Sequence, residues 1–198
     1  MIDAIRNRRS VRRYKPEPIP RDVIETLLTA AIWAPSAHNR QPWRFAVIEV
    51  QAVKEKLARA MGQQLRHDLE ADHVPEAVIL KDVNRSHKRI ISAPVLIVLC
   101  LTMKDMDSYP DEKRTQHETT MAIQSVAMAG QNLLLAAHNA GLGACWMCAP
   151  LFCPNVVRQA LDLPEDWQPQ ALLTVGYPLQ QSQGAKTRES LMKRVLWR

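Results

Sequence analysis

The chain reads as one α+β domain, a central sheet flanked by helices. Three observations carry that reading. Residues 95–101 (Val-Leu-Ile-Val-Leu-Cys-Leu) form an unbroken apolar run directly behind Pro94, the pattern of a strand buried on both faces. Residues 118–139 place apolar side chains nearly all round a helix, which puts that helix inside the protein rather than on its surface. Finally, the 198 residues contain no internal repeat, low-complexity tract or interdomain linker. A chain of that length builds one full core and is short for two, so residues 1–198 are expected to form a single domain.

The elements follow in order. Residues 2–7 are a short helix feeding a basic run. Lys15-Pro16-Glu17-Pro18-Ile19-Pro20 is an extended link, because proline disfavours helix in the residue before it. In residues 21–33, Ile24, Leu27, Leu28 and Ala31 recur at helical spacing, and Pro35 ends the helix. Residues 45–50 are a strand. Residues 53–69 are a polar helix with a weaker stripe of Val53, Leu57, Ala60 and Met61. The stretch 70–90 is charged, of mixed periodicity and interrupted by Pro75, and reads only as partly helical. Residues 102–111 are a loop.

Within the helix at 118–139, Gly130 permits a neighbour to pack closely, and Gly141-Leu142-Gly143 terminates it. Residues 144–148 are a strand, and residues 154–161 a helix with proline in its first turn. Residues 171–175 are a strand closed by Gly176-Tyr177-Pro178. The tail is polar from Gln180, then turns apolar at Leu191, Val195, Leu196 and Trp197. It is either a last core helix or an arm that packs on a second copy.

Composition narrows the function. Apolar residues make up 46% and charged residues 23%, an ordinary globular balance. No stretch approaches the roughly 20 apolar residues of a membrane span, and the start lacks the apolar core of a signal peptide. A cytoplasmic protein is therefore expected, with no membrane partner. The net charge of +6 raises the question of nucleic acid. Five arginines fall between Arg6 and Arg13 while the other basic residues are scattered, and aromatic content is only 5%, too thin for a base-stacking surface. One phosphate site fits this short run better than a nucleic-acid arm.

The four cysteines include Cys145-x-x-Cys148. A thioredoxin-type pair needs a strand before it and a helix starting on it; here a long helix precedes the pair, which itself sits in a strand. Residues three apart in a strand point to opposite faces, and a second ligand pair at zinc spacing is missing. Reduced thiols are expected, and no metal. His67 and His73 have a spacing that suits neither helix nor strand geometry, and Asp68, Glu70 and Asp72 read as solvated charge.

Two segments point to chemistry. Arg8-Arg9-Ser10-Val11-Arg12 offers charge-assisted donors for a phosphate. Pro35-Ser36-Ala37-His38-Asn39-Arg40-Gln41-Pro42-Trp43 offers short polar side chains and backbone groups suited to the edge of a flat heteroaromatic ring. Together they suggest a phosphorylated, ring-bearing cofactor. No Gly-x-Gly-x-x-Gly after a strand, phosphate loop or Gly-x-Ser-x-Gly elbow supplies an alternative.

These segments are followed in order by Ala93-Pro94-Val95, Gly141-Leu142-Gly143-Ala144-Cys145-Trp146, Gly176-Tyr177-Pro178 and Lys186-Thr187-Arg188. The ordered set resembles the FMN-dependent nitroreductase family over nearly the whole chain. A narrower likeness lies in Tyr109-Pro110-Asp111-Glu112, in Leu151-Phe152-Cys153-Pro154-Asn155-Val156-Val157-Arg158, and in Leu161-Asp162-Leu163-Pro164 with Trp167-Gln168-Pro169. These look like the nitroreductase-like domain at the C-terminus of the glutamate ligases that finish the deazaflavin coenzyme. This chain lacks the ligase domain, so it is not expected to ligate.

The resemblance implies a mostly antiparallel sheet flanked by helices and an intertwined homodimer with FMN at its interface. It also implies hydride transfer from NAD(P)H through FMN to a nitroaromatic, quinone or other conjugated acceptor. An FMN-dependent reductase of a dehydro deazaflavin precursor, and a non-catalytic flavin- or deazaflavin-binding protein, stand as alternatives. Carried onto this sequence, Arg8, Arg9 and Arg12 would meet the phosphate and the polar edge of the ring, and Ser10 a ring carbonyl or ribityl hydroxyl. Pro35, Ser36, Ala37 and Asn39 match the loop that reaches the flavin from the other subunit. Met147, Cys148 and Ala149 fall where the family sets a backbone amide beside the reactive ring nitrogen, a contact that tunes a flavin without any particular side chain. Lys186 and Arg188 match a late basic pair on the phosphate, and Arg85 is a further candidate. No catalytic side chain is implied, since water or the flavin can deliver protons.

Overall fold

A computed structural model describes residues 2–180 and 187–198. At its centre lies β2 (Val95–Leu101), with every residue buried. It pairs with β1 (Trp43–Ile48) on one side and β4 (Gln168–Gly176) on the other, and β3 (Gly143–Met147) lies outside β4. The order β1-β2-β4-β3 is antiparallel throughout. Phe45 stands opposite Leu99, Leu173 opposite Ile97 and Trp146 opposite Leu173, with one irregularity between Leu99 and Cys100.

Side chains alternate across a strand, so β2 serves two cores. Val95, Ile97, Leu99 and Leu101 pack with α2 (Arg21–Ile32) and α5 (Glu112–Asn139). Leu96, Val98 and Cys100 pack against the other layer, α3 (Gln51–Ala71), α4 (Glu76–Ile91) and α6 (Pro154–Ala160). A short α1 (Ile2–Asn7) precedes these layers and touches α5. Among the described residues no helix is long and apolar enough to cross a membrane.

α5 comes unusually close to the sheet at Gly130. A Cβ there would lie 2.2 Å from Trp146 Cζ3 and 2.7 Å from Leu99 Cδ2. The helix ends where Gly141 adopts φ +72°. There the Leu142 N–H donates to Ala137 O (2.8 Å) and the Gly141 N–H to His138 O (3.1 Å), satisfying carbonyls the last turn would leave open.

The structure differs from the sequence reading most in three places; elsewhere element ends shift by one or two residues, β1 running over Trp43–Ile48 rather than 45–50 and β3 ending at Met147 before Cys148. The charged stretch 70–90 holds α4, begun by Pro75 as its cap rather than broken by it. Ile79 and Ile90 are buried while Lys81, Arg85 and Lys88 face solvent, so the charges that dominate the composition occupy the outer face of an amphipathic helix. α5 begins six residues earlier than the apolar pattern indicates, because the Asp111 side chain accepts the Arg114 N–H (2.9 Å) as an N-cap. β4 starts at Gln168 rather than 171, drawn out by its ladder to Leu101.

Two outcomes are expected. Gly130→Ala should lower unfolding stability by about 1–2 kcal/mol in urea, the overpacking cost less the helix propensity alanine restores. The second concerns pH. Burial pushes the Cys100 thiol up to about 12 and, with a smaller push from Asp68, the Cys153 thiol up to about 11, both from 9.0. The native fold therefore keeps protons that the unfolded chain releases above pH 9. Stability should fall as pH rises from about 9 towards 11, by up to ~1.4 kcal/mol per unit per thiol. Denaturant midpoints across that range test it, and Cys153→Ala should flatten the slope.

Candidate functional site

The basic run lies along the free edge of the sheet. The Val11 N–H donates to Ala144 O (3.0 Å), and Ser10 pairs with Ala144 in parallel. Farther along, the Lys15 N–H donates to Tyr177 O (2.9 Å) and the Leu179 N–H to Arg13 O (3.0 Å). The run can approach because Gly143 and Gly176 stand opposite each other in the β3–β4 ladder. A Cβ at Gly143 would meet Val11 at 2.6 Å, and one at Gly176 would meet Pro94 at 2.7 Å and Tyr14 at 2.9 Å. Two bare backbone positions thus form the seat of the run.

Tyr14 fastens it. Its hydroxyl lies 2.5 Å from Val11 O, 3.0 Å from Thr174 O and 2.7 Å from Thr174 Oγ1. The phenol can donate to a backbone carbonyl while accepting the Thr174 hydroxyl proton. Burial raises its pKa well above the ordinary value of 10.0, so it keeps its proton.

Of the predicted contacts here, Arg8 is half-buried, and among the described residues its guanidinium has no hydrogen-bond or ion-pair partner. Arg9 Nη1 donates to Arg6 O (2.5 Å) and Arg8 O (3.1 Å), folding back on the run's own backbone. Arg12 is exposed, with Nη1 3.4 Å from Ser10 O. Ser10 bridges to β3 at Ala144, three residues before that strand ends at Met147. Cys148 then caps a one-turn 3-10 helix, Ala149–Phe152, without a side-chain bond. The first amides of such a turn have no partner inside it. Cys148 is exposed, Cys145 is buried, and the Trp146 indole N–H donates to Cys148 Sγ (3.2 Å).

The loop from Pro35 to Pro42 is held at the opposite edge, where it enters β1. It contains the 3-10 turn Ala37–Asn39 and three non-glycine residues with positive φ: His38 (48°), Asn39 (55°) and Gln41 (50°). Such left-handed conformations cost of order 1 kcal/mol each and persist only when their surroundings impose them. Several bonds do so. Ser36 Oγ accepts the Gln41 N–H (3.0 Å), the Ala37 N–H points at Ser125 Oγ on α5 (3.4 Å), and the Thr102 N–H donates to Pro42 O (2.9 Å). Arg40 pairs with Asp107 and Arg44 with Asp105, joining the loop to residues 102–111.

One copy therefore places the two candidate half-sites at opposite edges of a four-stranded sheet, about 19 Å apart at the usual strand spacing because the run docks one spacing outside β3. Arg85 joins neither: it lies on α4, on the face away from α5, paired with Asp82 (2.8 Å). Arg188 is exposed, with Nη1 3.1 Å from Thr187 O. Lys186 lies outside the described residues. Sequence reasoning passed over Tyr14, Ser125 and Glu118. The available signal for the last two was a polar side chain within the buried stripe of α5.

The family profile described as "Nitroreductase family" matches residues 5–177. An NADH dehydrogenase of Thermus thermophilus is 31% identical over 215 aligned positions, covering 96% of this chain and 92% of its own. An iodotyrosine deiodinase of Haliscomenobacter hydrossis is 33% identical over 178 positions, covering 87% and 76%. A solved structure from Desulfovibrio desulfuricans, described as a nitroreductase in complex with FMN, shares the fold at a TM-score of 0.74 and 28% identity, covering 100% of this chain and 95% of that one.

Tyr14→Phe removes the fastening of the basic run while keeping the ring. It should cost about 1–2 kcal/mol of stability, since Thr174 loses a buried partner. Amide exchange at Val11 should accelerate, which hydrogen-exchange mass spectrometry reads directly.

Proposed function

The chain belongs to the nitroreductase family, and from that premise we propose that it is an FMN-dependent oxidoreductase. It would pass hydride from NAD(P)H to a nitroaromatic, quinone or other conjugated acceptor. The chemistry of the donor set fits the cofactor. Arg8 presents a half-buried guanidinium with no partner among the described residues, and the exposed Arg12 stands two positions past Ser10 on the same docked run. That pattern suits a phosphate and a polar ring edge.

When bound, FMN supplies the two-electron hydride chemistry. The chain's own residues bind and orient it. Arg8 and Arg12 would hold the phosphate and ring edge, Ser10 would offer a hydroxyl, and the backbone at Cys148 and Ala149 would present amides to the ring. Arg188, and Lys186 outside the described residues, would add charge on the phosphate. The loop of Pro35, Ser36, Ala37 and Asn39 would reach the flavin of a second copy.

The separation of the two half-sites across the sheet is the single observation that carries the homodimer. An apolar surface favours it too: Ile123 and Met128 on α5, and Leu191, Met192, Leu196 and Trp197 in the tail, are exposed. We further propose that residues 1–198 act as one FMN-binding domain in the cytoplasm, with donor and acceptor using one pocket in turn.

A second reading, a reductase of a dehydro deazaflavin precursor, draws support from a groove of about 330 Å³ lined by Leu151, Asn155, Arg158, Trp167, Pro169 and Gln170. Two of the segments that resemble the deazaflavin-associated branch, 151–158 and 167–169, contribute to its walls. Turnover of such a precursor in preference to nitroaromatics would select this reading.

The test is an absorption spectrum of protein supplemented with FMN and desalted, followed by NADH or NADPH under anaerobic conditions. Flavin bands should be retained and should bleach. Arg8→Ala and Arg12→Ala should each weaken FMN binding about 10- to 100-fold, the loss of a charge-assisted hydrogen bond. Unchanged affinity in both would remove the basic run from the site.

A further inference from the structure

Glu118 is a carboxyl group in an unlikely place. It lies on α5 in a buried stripe with Ala122, Ser125, Val126 and Ala129, and none of its surface is exposed. Among the described residues Oε1 accepts a single hydrogen bond, from the Asp107 N–H at 3.2 Å. Oε2 is equally buried and, among the described residues, has no hydrogen-bond partner. Burying a carboxyl among apolar neighbours for one long hydrogen bond is unfavourable, so core packing alone does not account for it.

Its surroundings supply a reason. Asp107, whose amide Glu118 holds, uses its own side chain to pair with Arg40. Arg40 directly follows the Ala37–Asn39 turn, between the left-handed Asn39 and Gln41. Seven residues along the same helix, and therefore on the same face, Ser125 Oγ meets the Ala37 amide at 3.4 Å. α5 thus grips the strained loop twice: directly through Ser125, and through Asp107 and Arg40 by way of Glu118. The outer ion pair is half exposed and would be weak by itself. Fixing the Asp107 backbone from beneath removes the freedom of its carboxylate and makes the pair a defined tether.

We propose that Glu118 is a positioning residue for the loop of Ser36, Ala37 and Asn39, acting through the Asp107 amide and the Asp107–Arg40 ion pair. It touches neither cofactor nor substrate; it keeps the loop in the left-handed shape in which its backbone is presented. The consequence for FMN rests on the reading of that loop as a flavin contact, whereas the consequence for the loop itself does not.

The experiment compares the full chain with Glu118→Ala, Glu118→Gln and Asp107→Ala. Hydrogen-exchange mass spectrometry without FMN covers peptides spanning 34–44, 102–111 and, as the internal reference, 95–101. FMN titration follows by fluorescence. In Glu118→Ala, exchange of both loop peptides should rise at least about tenfold against the reference, and the FMN Kd should rise about tenfold. Glu118→Gln keeps an oxygen acceptor for the Asp107 amide and should restore most of both. Asp107→Ala, outside the core, should loosen 34–44 with Glu118 intact. Unchanged loop exchange in a folded Glu118→Ala overturns the proposal. If that variant does not fold, unchanged 34–44 exchange in Asp107→Ala overturns it instead. Loosened loops in a chain that binds no FMN even in its native form support the positioning role while removing the flavin reading.

Discussion

Everything else in this molecule is arranged around a strand with no polar side chain and no free face. All seven residues of β2 are buried. Its two faces must each be covered by a helical layer, and its two edges by neighbouring strands, because neither apolar side chains nor unpaired amides can be left without cover. α2 and α5 on one side, and α3, α4 and α6 on the other, meet the first demand. β1 and β4 meet the second. Residues suited to chemistry are thereby displaced from the centre to the two outer edges, beside β3 and at the entry to β1.

At those edges the chain builds precision from backbone rather than from bulk. The basic run is seated on two facing glycines and fastened by one buried phenol. The loop at the other edge is held in left-handed conformations by serine hydroxyls and by its ties to residues 102–111. α5 is the shared support. It touches α1, which leads into the basic run, carries Ser125 beneath the loop, and packs on β3 through Gly130 and Trp146. A change in the seating of α5 would reach both edges together.

Legibility varied with how local the cause was. β2 and the core of α5 were readable because burial on all sides leaves an apolar pattern that no other arrangement explains. The closeness at Gly130 was also readable, since glycine inside a helix is costly unless a neighbour needs the space. α4 was obscured because charges on its outer face outnumber the few apolar residues it buries against α3. The true start of α5 was hidden because a capping aspartate leaves no apolar signal. Tyr14 gave no signal at all: its partners, Val11 and Thr174, lie 3 and 160 residues away, and only folding brings them to one oxygen.

The sequence by itself determined the fold class, the family and the two segments of candidate chemistry. These reside in residue order, in local periodicity and in side-chain type. Tertiary structure alone decided where those segments lie. Strand order puts the basic run and the polar loop on opposite edges of the sheet, sends Arg85 to the far face, and sets Glu118 beneath Asp107. None of this is written in a local pattern, because hydrogen-bond partners across a sheet and between loops are chosen by chain topology and by competition for burial, not by neighbours in sequence.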